Sequence, residues 1–164
     1  MPNEPDWETG DGVIDIRDPA EIDAAFDRGE RHVGTAVIGL VLHGDDVAVI
    51  APRVERAMRS PDPKVRELGF VAAGDMARLY TTLSPGIYAV LRAEGLGGVA
   101  ENAIRDALTF IPLGQLPWWM RRLALWLSVR DTVEGRLLRL QDFIERAADA
   151  VKAVFGKMRK KKNP

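Results

Sequence analysis

The polar and apolar positions along this chain repeat with the spacing of amphipathic helices. In the stretch "DDVAVIAPRVERAMRS" (residues 45–60), the apolar residues Val47, Ile50, Val54 and Ala57 or Met58 follow one another at intervals of three or four positions. This spacing places them on one face of an α-helix. No stretch of the chain predicts a sheet. We therefore expect an all-α protein.

Helix-capping residues set the boundaries of the predicted helices. Asp18 is a good N-cap, Pro19 suits the first helical position, and Gly29 ends the pattern. Comparable signals end later helices at Gly44 and Gly95. The remaining predicted helices lie within residues 31–44, 45–60, 60–80, 84–95 and 97–112.

The stretch "SPDPKVRELGFVAAGDMARLY" (residues 60–80) predicts a helix that is rich in small residues. Gly69 and Gly74 each cost about 1 kcal/mol relative to alanine in a helix interior. These glycines and the alanines at positions 72, 73 and 77 are small enough to let neighbouring helices approach closely. The apolar area buried by this close approach offsets the lost helix propensity of the glycines. We therefore expect this helix to pack against several others.

Successive helices form hairpins that repeat along the chain. The first helices of three hairpins carry Val33, Val65 and Val99, at intervals of 32 and 34 residues. A period of this length is typical of stacked helical hairpins, in which each repeat contacts its neighbours.

The first helix of the middle hairpin carries an Asp, then Val-Arg, then small residues at every third or fourth place. These residues are Asp62, Val65, Arg66, Gly69, Ala72, Ala73, Gly74 and Met76. Their pattern resembles the first helix of a HEAT repeat. The flanking hairpins keep the small and apolar positions but have Gly34 and Ala100 where Arg66 stands. The resemblance implies a short HEAT-like α-solenoid of stacked helical hairpins. The chain is also similar to short bacterial HEAT-like proteins, some of which are regarded as toxin-immunity proteins.

The resemblance also implies a binding surface, because the second helices of HEAT hairpins line the inner curve. The corresponding positions outside the core are Arg53, Arg56, Tyr88 and Arg92. Arginine and tyrosine are enriched in binding hot spots, so these residues form a hypothetical site for an acidic partner surface. The alternative is a solvated helix face on which Glu55 balances the nearby arginines.

Charge divides the chain into regions of opposite sign. Residues 1–114 contain 11 Lys and Arg against 19 Asp and Glu, whereas residues 115–164 contain 12 against 5, so the net charges are −8 and +7. We predict an acidic flexible arm over residues 1–17, HEAT-like repeats over 18–114, and a basic amphipathic helical region with a Lys-rich tail over 115–164. The asymmetry is compatible with an anionic partner for the basic region or with attraction between the two regions.

The C-terminal region carries an apolar seam from Trp119 to Met158 that alternates spacings of three and four residues. Such a seam predicts an amphipathic helical extension. Three arrangements remain open, namely folding back on the repeats, self-association, and binding to an anionic membrane surface. The residues proposed for self-association or membrane contact are Trp118, Trp119, Arg121, Arg122, Trp126, Lys157, Lys160, Lys161 and Lys162.

The chain has few residues suited to catalysis. It has no cysteine and two histidines, and it lacks a nucleophile elbow, an HExxH motif and a Gly-rich loop in the context of a phosphate site. We expect no enzyme activity, no cofactor, no metal site and no nucleic-acid partner. The predicted function is protein binding, as an immunity-type protein with a toxin as partner or as a scaffold. The alternative is a peripheral membrane or self-assembling structural protein. Both fit a cytoplasmic location, the second at the inner membrane face.

Overall fold

The computed structural model describes residues 5–127 of the chain. Helices account for most of these residues and no strand occurs among them, so the prediction of an all-α fold is confirmed. The chain divides into two compact units, Met1–Pro117 and Trp118–Pro164. Of the second unit, residues 118–127 are described, and they are helical. The helices of the first unit are α1 (Pro19–Arg28), α2 (Val33–His43), α3 (Val47–Met58), α4 (Pro63–Tyr80), α5 (Pro85–Glu94) and α6 (Glu101–Phe110).

Aspartate side chains cap the start of α1, at the predicted residue, and the start of α4. The Asp18 carboxylate accepts a hydrogen bond from the backbone N–H of Ala20 at 2.9 Å, and Pro19 is the first residue of α1. Asp62 caps α4 in the same way. These bonds satisfy N–H groups that have no partner within the helix. The predicted ends at Gly29, Gly44 and Gly95 are also confirmed.

The helices of the first unit pack as stacked hairpins with α4 at the centre. Its neighbours α2 and α6 both pack against it. Both run parallel to α4, since their N-terminal ends lie beside the first half of α4 and their C-terminal ends beside its second half. At the N-terminal end of α2, Gly34 lies against Leu68 of α4. At the C-terminal ends, the Tyr80 hydroxyl lies 2.7 and 2.6 Å from the carbonyl oxygens of Val41 and Gly44, which share its one hydrogen. The second helices, α3 and α5, contact each other.

Small residues allow α4 to lie at the centre of the stack, as predicted. A Cβ atom added at Gly69 would lie 2.5 Å from the backbone nitrogen of Met58 on α3. Contacts that short do not occur between packed atoms, so the close approach of α3 and α4 requires glycine at this position. Ala72, Ala73 and Ala77 are completely buried.

The repeat of valines is only partly kept in the structure. Val33 and Val65 are buried in α2 and α4, but Val99 lies before the start of α6 and is 38% exposed. The buried position belongs to Ala100, the next residue. The expectation that the first helix of the third hairpin carries Val99 is therefore wrong, because α6 begins at Glu101, later than the sequence pattern suggests.

The N-terminal segment packs against the helices. Residues Val13–Asp15 form a 3₁₀ turn on α2, and Val13 is completely buried. A Cβ atom at Gly39 of α2 would lie 2.0 Å from the carbonyl oxygen of Ile14, so the glycine makes room for this segment. Within the predicted arm, residues 13–16 thus pack on α2, because the side chains of Val13 and Ile16 are removed from water there.

Candidate binding groove

Arg53, a predicted partner-binding residue, is bound by α1. Its guanidinium forms an ion pair with Asp23 and donates to the carbonyl oxygens of Pro19 at 3.2 Å and Val49 at 2.6 Å. The side chain is 17% exposed. The guanidinium of Arg53 is therefore already paired within the chain.

Arg56 also interacts with α1. It donates to the Asp27 carboxylate at 2.6 Å, and its guanidinium lies 4.6 Å from the centre of the Phe26 ring, a cation–π contact. The neighbouring Arg59 pairs with Glu55 at 3.0 Å. These contacts support the alternative interpretation, in which nearby carboxylates balance the arginines.

The other two predicted residues lie on α5. The Tyr88 side chain is half-buried, and burial raises the pKa of its hydroxyl. Arg92 is exposed near the end of the same helix. The structure thus places the four predicted residues on two helices that contact each other, α3 and α5, and α1 binds the two on α3.

The C-terminal candidate residues are described only in part. Trp118 and Trp126 are 59% and 55% exposed, and the Arg122 guanidinium lies 5.8 Å from the centre of the Trp118 ring. Trp119 is half-buried and Arg121 is exposed. Lys157, Lys160, Lys161 and Lys162 lie outside the described residues, as does most of the predicted seam. Within residues 5–127, no helix has the length and apolar character needed to span a membrane.

A groove between α4 and α6 is a site that sequence reasoning missed. Its main part has a volume of about 360 Å³. An adjoining recess shares Glu67, Gly98 and Val99 with it and extends to Pro63. We call the two together the α4–α6 groove. Its main part is lined by Glu67, Phe70, Val71, Asp75 and Arg78 of α4, and by Gly98, Val99, Asn102, Ala103 and Asp106 on and before α6.

Apolar side chains in this groove are open to solvent. Val71 is 48% exposed although it lies in the middle of the central helix of the stack, and Val99 is 38% exposed on the opposite wall. Phe70 is buried and also lines the groove. A concave surface of this kind, in which apolar side chains lie among a few polar groups, is typical of binding sites.

The Asp106 carboxylate of α6 lies against α4 at Gly74. A Cβ atom at Gly74 would lie 2.6 Å from its Oδ2 atom, so this glycine lets the carboxylate lie against the helix. The side chain is half-buried. It forms no hydrogen bond or ion pair within the described part of the chain, whereas Glu67 pairs with Lys64 at 3.4 Å and Asp75 pairs with Arg78.

Carboxylates outnumber cations in the main part of the groove. Glu67, Asp75 and Asp106 contribute three negative charges, and Arg78 contributes one positive charge. Among residues 5–127, no group of three or more His, Cys, Asp or Glu side chains is arranged to hold a metal ion. The main part of the groove is therefore an acidic surface with apolar walls. Arg66, which pairs with Glu94, lines the adjoining recess, so the excess of carboxylates does not extend there.

A second cavity, of about 370 Å³, lies where α1, α2, α3 and the start of α4 meet. Arg56 and Arg59 line it, but so do Glu30 and Asp62, so the lining charges balance. Since both arginines already pair with carboxylates, this cavity gives no clear preference for a charged ligand. The α4–α6 groove, with its excess of carboxylates, has the more distinct chemistry.

Comparison of the chain with protein-family models, with curated proteins and with solved structures found no match. A sequence signal for the α4–α6 groove existed, because Glu67, Val71, Asp75 and Arg78 follow one another at intervals of three or four positions. This pattern describes a polar helix face interrupted by one valine.

Proposed function

We propose that this chain is a non-enzymatic protein-binding module, a HEAT-like stack of helical hairpins that holds a segment of a partner protein in the α4–α6 groove. The observation that carries the proposal is the exposure of Val71 and Val99 on facing walls of the groove. Apolar side chains grouped in a concave site favour a ligand that removes them from water.

The length of the groove fits a peptide segment. From Pro63 to Arg78, α4 advances 15 residues, which at 1.5 Å per residue is about 22 Å. An extended chain covers that length with about seven residues at 3.2–3.4 Å each. The groove can therefore take a short extended segment or about four turns of a helix.

Within this proposal, the partner is a toxin if the chain is an immunity-type protein, or an assembly subunit if it is a scaffold. Both roles require the stack to cover a surface of another protein, which the parallel arrangement of α2, α4 and α6 supports. We place this activity in the cytoplasm.

Site-specific photocrosslinking tests the proposal. We expect p-benzoylphenylalanine at Val71 to form a crosslink with one partner protein in cells that express the chain naturally. The matched control is the same substitution at Leu79, which is 54% exposed on the same helix but does not line the groove. Binding of the identified partner should then weaken in Val71→Glu. Equal crosslinking from both positions, or none from Val71, would contradict the proposal.

The second candidate function is a peripheral membrane or self-assembling structural protein that acts through residues 115–164. It is favoured by the exposed Trp118 and Trp126 and by the arginine beside Trp118, since tryptophan and basic residues together favour lipid interfaces. Flotation of the full chain with anionic and neutral vesicles tests lipid binding, and sedimentation velocity tests self-association. If the chain is monomeric and indifferent to both vesicle types, this candidate is eliminated.

A further inference from the structure

We infer that the segment bound in the α4–α6 groove is cationic, with a Lys or Arg side chain that pairs with the Asp106 carboxylate beside Gly74. This inference rests on the proposed function and adds the chemistry of the partner. Two features of the groove support it. The Asp106 carboxylate is available for pairing, and the apolar walls favour an amphipathic segment over a simple cation.

Asp106 has unused capacity for hydrogen bonding. An ionised carboxylate can accept about four hydrogen bonds through its two oxygens, and Asp106 accepts none within the described part of the chain. A half-buried carboxylate that loses its remaining water without gaining a partner is destabilised. A ligand that covers this groove must therefore supply a donor, and a guanidinium or ammonium group forms the stronger, charge-assisted bonds.

Other carboxylates in the groove favour the same ligand. Glu67 and Asp75 each have one basic partner, Lys64 and Arg78, and these pairs lie within single turns of α4. An acidic segment would bring like charges together, which is unfavourable for binding. An uncharged apolar segment would cover Val71 but would leave Asp106 without a partner. A basic segment satisfies both features of the groove.

The positions of these features predict the pattern of the bound segment. Val71 and Gly74 are three residues apart on α4, a rise of about 4.5 Å. In an extended peptide, side chains two residues apart point the same way and lie about 6.5 Å apart. For an extended segment, we expect an aliphatic residue near Val71 and a Lys or Arg two residues away from it, in contact with Asp106.

Selection from a phage-displayed library of random 12-residue peptides on the full-length chain tests the inference. We expect the selected peptides to be rich in Lys and Arg, and their affinity to fall about 10- to 100-fold in Asp106→Asn, the range expected for the loss of a charged hydrogen bond. Raising the salt concentration should weaken binding to the parent protein more than to the variant.

Two further variants test whether the loss of binding is specific to the position of the Asp106 carboxylate. Glu101→Gln removes the same charge from the same helix, but Glu101 pairs with Arg105 and does not line the groove, so binding should be retained. Gly74→Ala keeps the carboxylate but its Cβ displaces Asp106, so binding should fall. Melting curves of the Asp106→Asn protein should match the parent, since the side chain makes no bonds in the described structure.

The alternative outcomes separate this inference from the proposed function. Peptides that require Val71 but contain no excess of Lys or Arg, and that bind Asp106→Asn and the parent protein equally, would overturn the inference and leave the proposed function standing. If no selected peptide depends on Val71, both are wrong. If Glu101→Gln weakens binding as much as Asp106→Asn, the attraction is a general effect of charge, and the assignment to Asp106 fails.

Discussion

Replacing Gly69 with alanine tests the central feature of the fold, the close approach of α3 and α4. In an isolated helix this substitution would be stabilising by about 1 kcal/mol, since alanine has the higher helix propensity. In this structure the added Cβ would lie 2.5 Å from the Met58 nitrogen and 2.7 Å from the Ala57 carbonyl carbon. Both are backbone atoms, which cannot rotate away as the end of a side chain can.

The expected magnitude follows from these distances. Ordinary contacts between packed carbon atoms are about 3.5–4.0 Å, so α3 must move by about 1 Å at this point. Overpacking of a well-packed core typically costs about 1–3 kcal/mol, and a shift of a whole helix belongs at the upper end of that range. After the gain in helix propensity, we expect a net destabilisation of about 2 kcal/mol. For a chain of this size that lowers Tm by about 4–8 °C.

Urea unfolding followed by circular dichroism at 222 nm measures the effect, with Gly74→Ala as the matched control. Gly74 lies in the same helix, but the added Cβ would meet only the end of the Asp106 side chain and would lie 3.6 Å from the nearest backbone atom, the Ala103 Cα. This variant should therefore be unchanged or up to about 1 kcal/mol more stable than the parent. If Gly69→Ala is as stable as Gly74→Ala, the reasoning about helix spacing is refuted.

Three more predictions concern contacts between elements. Gly39→Ala should release the N-terminal segment, because the new Cβ would lie 2.0 Å from the Ile14 carbonyl oxygen, and limited proteolysis should then cut near residue 14 faster than in the parent. Tyr80→Phe should lower the free energy of unfolding by about 1–2 kcal/mol through loss of its bonds to α2. Burial raises the Tyr80 pKa, so the parent should lose stability as the pH rises above about 10, the unfolded value, and the variant should lose less. Arg53→Met should loosen α1 and raise hydrogen exchange there, and unchanged exchange would show that the ion pair to α1 contributes little.

The candidate arginines show what a helix pattern leaves undecided. Their positions outside the core of α3 follow from the periodicity of that helix, and their enrichment in binding sites suggested an external acidic partner. In the structure, Arg53 and Arg56 instead pair with Asp23 and Asp27 of α1. The pattern within one helix describes its faces but does not identify the element that covers each face.

The α4–α6 groove depends on tertiary structure in the same way. Gly74 and Asp106 are 32 positions apart in the sequence, and their contact exists because α4 and α6 run parallel in one particular register. A shift of one helical turn would place a different residue beside the glycine. The charge count and the spacing of apolar residues do not determine the register between α4 and α6. The groove could therefore not be predicted from the sequence.

The elements of this protein are determined locally, because capping, helix breaking and apolar periodicity act within a few residues of the chain. Asp18, Gly29 and Gly95 are enough to place helix ends, and the small residues of α4 are enough to predict a packing helix. Only the tertiary structure decides three other features: the burial of Val13, the ion pair between Arg53 and α1, and the lack of a partner for the Asp106 carboxylate within residues 5–127. Each depends on which residues from distant parts of the chain pack around the side chain, and local sequence does not specify those residues.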